Sequence, residues 1–192
     1  MYEEKDFTKL LGIPGFSDKL LTTHFKLYSG YVKNTNKSLE LLKSLEQGTP
    51  QWAEIKRRFG WEFNGMRLHE LYFENMTKEK TRLSENTPLF KAMLKTFGSG
   101  QACHDDFMNT AKLRGIGWVL MIYDSVGEKI LNVWINEHDL GHLAGAVPLL
   151  VIDVFEHAFV TDYNMERSAY IESFMKSIDW NIVQARFEKT TQ

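Results

Sequence analysis

A chain of 192 residues with 43% hydrophobic and 13% aromatic side chains can bury a substantial interior, which argues against disorder. Its 23 Lys+Arg nearly balance 25 Asp+Glu, for a formal net charge of -2, so composition suggests neither a nucleic-acid surface nor a membrane patch. A single cysteine, Cys103, excludes an internal disulfide framework and favours a reducing compartment. The first residues lack a basic and then apolar leader pattern, and no 18-residue apolar window exists. The expectation is a soluble cytoplasmic protein that binds neither nucleic acid nor membrane.

After a turn at Gly12-Ile13-Pro14-Gly15, Ser17 and Asp18 can cap a helix reaching about residue 47. Leu20, Leu21, His24, Leu27, Tyr28, Tyr31, Leu39, Leu42 and Leu45 recur at three- and four-residue intervals and define one apolar face. His24 and Tyr31 are seven apart, two turns, so they share it. Gly48-Thr49-Pro50 breaks the chain, with Thr49 as N-cap and Pro50 in the first helical position. A second helix then runs to about residue 76, with Ile55, Phe59, Phe63, Met66, Leu68, His69, Tyr72, Phe73 and Met76 inward. Two long helices joined by a short turn predict an antiparallel hairpin, which can set His24 against His69. Each histidine alone reads more readily as a packed core imidazole.

Residues 77–86 are the most polar run and read as a solvated linker, with a domain boundary near residue 85. Residues 1–85 would form a helical-hairpin domain and 86–192 a mixed α/β domain. Helical spacing returns over 88–97 and 99–113, with His104 facing solvent. The period then changes: 117–123 and 129–135 are β-rich runs joined by a hairpin turn over 124–128. A loop over 136–147 leads into the central strand, and 165–177 and 179–189 read as short amphipathic helices. The expected fold is α+β: the hairpin, then a small antiparallel sheet of about three strands flanked by helices.

The most informative stretch is Pro148-Leu-Leu-Val-Ile-Asp153-Val-Phe-Glu156-His157-Ala-Phe159. Pro148 cannot continue a helix, and the branched aliphatics after it form a buried strand. Asp153 and His157 arrive where the apolar run stops. A carboxylate beside so much hydrocarbon costs several kcal/mol unless it is paired or ligated. A cation would satisfy both side chains; backbone amides and a core histidine would be the plainer answer. Together with His24 and His69 they make three imidazoles and one carboxylate, a set that suits iron, manganese or zinc.

At these residues the chain resembles the iron/manganese superoxide dismutases over nearly its whole length. His24-Phe with Tyr31-Val-Lys-Asn34-Thr-Asn36 is similar to the family's first-helix pattern, and Phe63-Asn-Gly with Leu68-His69-Glu-Leu-Tyr-Phe-Glu-Asn to its second. Gly115-Ile-Gly117-Trp118, Asp153-Val-Phe155-Glu156-His157-Ala158-Phe159 and the ending Tyr170-Ile-Glu, Asp179-Trp180, Ala185-Arg186-Phe187 complete the likeness. The resemblance implies a metal site between the two domains, with His24, His69, Asp153 and His157 holding one iron or manganese ion. It implies M(III)/M(II) alternation that converts superoxide to dioxygen and hydrogen peroxide. Tyr31 would be the gateway tyrosine. His138 would stand beside the metal's water, where some members carry glutamine; Gly65 is where many iron-type members place that glutamine instead. A homodimer with Glu156 at the interface is implied too.

Several positions depart from that pattern. His24 and Tyr31 are seven apart rather than eight, which loss of a one-residue π-bulge would explain. Leu27 and Tyr28 stand where the family's next inward histidine would be, Val160 replaces that histidine's tyrosine partner, and Phe155 and Phe73 replace tryptophans. These changes motivate an alternative, a metal-binding scaffold of the same fold with weak or no turnover. A further alternative is a metal hydrolase using Glu137, His138 and His142.

Overall fold

The computed structural model describes residues 1–190. Helix α1 spans Asp18–Ser44 and α2 Pro50–Glu74, and they pack against each other as the predicted hairpin. Ser17 Oγ accepts from Leu20 N–H at 3.1 Å and Thr49 Oγ1 from Trp52 N–H at 3.3 Å, so both predicted caps form. α1 ends three residues before the expected 47 because Leu45 is already extended. The buried line differs from the expected face. It runs through His24, Tyr28, Val32, Thr35 and Ser38, while Leu39, Leu42 and Leu45 are only half-buried. Towards its tip the hairpin lies beyond the rest of the core, so only the narrow strip facing α2 is covered.

The polar run after α2 is fastened rather than free. Thr77 N–H donates to Ser177 O at 2.8 Å, and Thr81 Oγ1 donates to Ile178 O at 2.8 Å while accepting from Trp180 N–H at 2.9 Å. Helices α3 (Pro88–Phe97) and α4 (Gly100–Ala111) follow, with His104 exposed as expected. Strands β1 (Gly117–Asp124), β2 (Lys129–Asn136) and β3 (Val147–Asp153) form an antiparallel sheet in the order β2-β1-β3. The run over 147–153 is therefore an edge strand, not the central one; β1 is central. It reads as continuously apolar because α2 and α7 (Trp180–Thr190) pack across it. A register shift between Met121 and Ile122 of β1 falls opposite Pro148, which has no N–H for the ladder.

Two short 3₁₀ turns, Thr8–Leu10 and Glu156–Ala158, and a short α5 (Val160–Tyr163) were not expected; α6 spans Arg167–Lys176. The described residues thus give seven α-helices and one three-stranded antiparallel sheet, the α+β architecture expected. Buried apolar side chains of the hairpin, the sheet and the last helices, such as Tyr72, Leu120, Leu150 and Val183, belong to one cluster. Among the described residues no helix is long and apolar enough to cross a membrane.

Candidate metal centre

The hairpin sets the rings of His24 and His69 5.0 Å apart, both wholly buried. β3 ends at Asp153, opposite Trp118 of β1. There the backbone turns out of the sheet. Val154 N–H donates to Gly117 O at 2.9 Å and Phe155 N–H to Asp153 Oδ1 at 2.9 Å. The 3₁₀ turn that follows swings His157 back over Asp153. Gly117 is required at this corner, because its φ of +143° and the nearby carbonyl of Ile135 leave no place for a Cβ.

The four side chains converge on one carboxylate oxygen. Asp153 Oδ2 lies 3.2 Å from His24 Nε2, 3.1 Å from His157 Nε2 and 3.6 Å from His69 Nε2. One ligating atom from each residue lies within 4.8 Å of the others. Asp153 is wholly buried; burial alone would raise its pKa, yet His157 and His24 outweigh that and hold it well below the usual carboxylate range. Burial pushes His24 down, and burial with His24 beside it pushes His69 well down. Only His157, partly open to solvent, is pushed up, because Asp153 outweighs its burial.

His69 tests whether a cation fits. Its Nδ1 is 2.5 Å from Gly65 O, and only a hydrogen-bearing nitrogen can bond a carbonyl. Nε2 therefore carries the lone pair, and among the described residues it has no hydrogen-bond partner. A neutral lone pair and an ionised carboxylate oxygen thus face each other in a dry pocket, an unfavourable arrangement that a cation between them converts into ligation. Second partners fix the donors as well: Asp153 Oδ1 is held by Phe155 N–H and Asp153 O by Tyr170 Oη–H at 2.7 Å.

Tyr31 and His138 lie beside this group. The Tyr31 ring stacks on His69 with centroids 5.2 Å apart, and Gly65 permits it, since a Cβ there would stand 2.5 Å from Tyr31 Cδ1. Reciprocal backbone bonds between Asn136 and Leu140 close a tight loop that turns His138 inward, fully buried. Trp118 Nε1–H donates to His138 Nδ1 at 3.0 Å. An indole nitrogen only donates, so Nδ1 accepts, the proton of neutral His138 is on Nε2, and that Nε2–H donates to Tyr31 Oη at 2.7 Å. Burial draws His138 down to about 4, so the imidazole is neutral at pH 7. Trp61, 4.6 Å from the His138 ring, and Phe155, 5.0 Å from it, close the remaining sides.

The family model described as iron/manganese superoxide dismutases, C-terminal domain, matches residues 85–186. An iron superoxide dismutase of Aquifex pyrophilus is 32% identical over 197 residues, covering 97% of this chain and 91% of the relative. A manganese superoxide dismutase of Haloferax volcanii is 32% identical over 182 residues, covering 93% and 90%. A manganese/iron superoxide dismutase of Aeropyrum pernix is 29% identical over 170 residues, covering 86% and 79%. The chain belongs to the iron/manganese superoxide dismutases.

Within that family the departures noted in the sequence acquire local explanations. α1 runs without interruption between His24 and Tyr31, and a spacing of seven keeps both on the face turned to α2. Tyr28 accepts from Lys5 N–H at 3.0 Å and donates to Glu70 Oε1 at 3.1 Å, a partnership within the subunit. The hydrolase alternative fails on geometry: both nitrogens of His138 are engaged, and His142 Nε2–H donates to the carbonyl of His138 at 2.8 Å. Trp118 and Trp61 were missed as neighbours of His138. The Gly-x-Gly-Trp motif marked Trp118, but its role needed the loop's position; nothing in the sequence marked Trp61.

Proposed function

We propose that His24, His69, Asp153 and His157 hold one iron or manganese ion, with Tyr31 and His138 serving the reaction beside it. The activity is that of the family, disproportionation of superoxide to dioxygen and hydrogen peroxide. The observation that carries the ligand assignment is the convergence of three imidazole nitrogens on Asp153 Oδ2, one of them a lone pair without a partner. When bound, the ion supplies a one-electron M(III)/M(II) couple, by which one superoxide is oxidised and the next reduced.

The chain's own contribution is the placing of protons. Reducing superoxide to hydrogen peroxide consumes two of them per product. Because His138 Nε2–H donates to Tyr31 Oη, the hydroxyl hydrogen of Tyr31 is directed elsewhere. Burial, reinforced by Asp153 and Glu62, pushes that phenol up to about 12, so it stays protonated at neutral pH as a donor. Trp118 holds His138 in the tautomer this requires. Protein loaded separately with iron and with manganese should dismutate superoxide far faster than the free metals; equal rates would defeat the assignment. Tyr31→Phe removes the hydroxyl and keeps the ring on His69. It should retain the metal and lower turnover by about tenfold or more, as read from stopped-flow decay of superoxide.

The division near residue 85 puts two ligands on each side of the boundary, so the site would form only when hairpin and mixed domain meet. The chain acts in the cytoplasm, in oxidative defence, where a lone buried cysteine such as Cys103 is at home. It works as a homodimer through the face that carries Glu156. Glu156 is exposed next to a His157 side chain that is 30% exposed, and Val160 and Met165 of the same segment are exposed apolar residues. Glu156→Arg should shift the molecular mass in light scattering from two chains to one.

A further inference from the structure

A cavity of about 640 Å³ is lined by residues 81–83, by α3, α4, α6 and the start of α7, and by Met121 of β1 and Leu150 of β3. That volume is in the range of roughly 300–1,000 Å³ typical of small-molecule sites. Its body is hydrocarbon: Phe90, Met93, Phe107 and Trp180 form walls, and Met121 and Leu150 the floor. Among the described residues no carboxylate lines it. The one permanently charged lining group among the described residues is Arg82, on the segment fastened by Thr81 to Ile178 and Trp180. Arg58, Arg67, Arg167 and Arg186 each hold a carboxylate or carbonyl, whereas among the described residues Arg82 makes no ion pair or side-chain hydrogen bond. Of the acids next in sequence to lining residues, Asp105 is bound by Gln101 Nε2–H at 2.7 Å and by His104 Nδ1 at 3.2 Å, and Asp179 accepts from Asn181 N–H at 3.1 Å.

We propose that this cavity binds a small amphipathic carboxylate, its apolar body against Trp180 and Phe107 and its carboxylate on the Arg82 guanidinium. An apolar pocket with a single unpaired cation at its mouth selects for that combination. A neutral hydrocarbon would leave the guanidinium unused, and a cation would be repelled. A phosphate monoester, with about two charges, would call for a second cation that the lining does not have. Arg suits the role because its planar fork matches a carboxylate bidentately. The cavity shares no lining residue with the metal centre, so occupancy and dismutation are separate properties.

The test uses the metal-loaded protein and decanoate as probe, titrated by calorimetry and by the fluorescence of Trp180, with Trp180→Phe identifying that signal. Decanoate should bind with 1:1 stoichiometry, decanol at least tenfold more weakly, and decylamine not at all. Arg82→Glu, at an exposed position, should weaken decanoate at least tenfold. Gln101→Trp at the rim should abolish binding by filling the mouth. Dismutation should be unchanged in all three variants. Absence of decanoate binding at millimolar concentration, equal affinity for decanol, or an undiminished affinity in Arg82→Glu would each overturn the proposal. So would binding that survives Gln101→Trp, since the ligand would then be seated elsewhere.

Discussion

Asp153→Ala is expected to reduce the metal content of the purified protein from about one ion per chain to nearly none, and dismutation with it. Asp153 supplies the one negative charge among the four candidate donors, and its Oδ2 is the atom that all three imidazoles approach. Three neutral imidazoles remain in the variant, a site that loses the charge compensation an ion of charge two or three needs in a dry pocket. Asp153→Asn separates charge from volume. It keeps the side chain's size and the acceptor for Phe155 N–H, yet should also lose the ion, because a neutral amide replaces the carboxylate. Elemental analysis of both variants beside the parent, with circular dichroism to establish folding, decides the matter. A full ion per chain in folded Asp153→Ala would mean that the carboxylate is structural and that the metal, if bound, lies elsewhere. Chelation of the parent should lower its melting temperature as well, since an ion that binds only the folded state stabilises it by mass action.

How much of this was legible beforehand depends on whether a feature is local or is set by docking. The caps at Ser17 and Thr49 and the proline at the start of α2 act within one turn of chain, so the hairpin could be read directly. The β-rich composition of β1 and β2 and the acid at the end of β3 are equally local. His24, His69 and Asp153 could be named because each lines or ends an element whose direction was already evident, and His157 because it follows Asp153 by four residues where the apolar run stops. Strand order was not readable in this way. An apolar run such as 147–153 signals burial on both faces, and helices can bury an edge strand as well as a central one. The shift of the buried line of α1 towards Val32, Thr35 and Ser38 likewise reflects where α2 and the core stop, which periodicity cannot contain. The partners of His138 depend on a loop bringing an imidazole 20 residues along the chain from Trp118 and 107 from Tyr31. Such separations leave no trace in the spacing of residues.

Arg186→Ala is expected to destabilise the fold by about 3–5 kcal/mol, the cost typical of breaking a buried charged pair by removing one partner. The guanidinium comes from α7 and is spent entirely on the seam between the hairpin and the sheet. Nη1 donates to Asn75 Oδ1 at 2.5 Å and to Leu149 O at 2.9 Å, and Nη2 donates to Glu74 Oε2 at 2.9 Å and to Leu71 O at 3.2 Å. One planar group thus ties the last turn of α2, which carries His69 one turn earlier, to β3, which ends in Asp153. Its removal takes a donor from Asn75 Oδ1, Leu149 O and Leu71 O and leaves Glu74 with Lys5 as its cation, at a seam where only 13% of the Arg186 side chain is exposed. Arg186→Lys should recover only part of the loss, because an ammonium cannot span four acceptors arranged for a fork. Urea unfolding of the three proteins measures the effect, and a loss under about 1 kcal/mol in Arg186→Ala would show the seam to be held by packing alone. The pH dependence gives an independent reading. Burial raises Glu74, but the hydrogen bonds from Lys5 and Arg186 outweigh it, so its folded pKa lies below the ordinary 4.5. The stability this contributes is present above the unfolded value and is lost as pH falls through the folded one. In Arg186→Ala the two values move together, and the acid limb of the stability curve should become shallower. An unaltered acid limb would mean that Lys5 alone holds the Glu74 carboxylate.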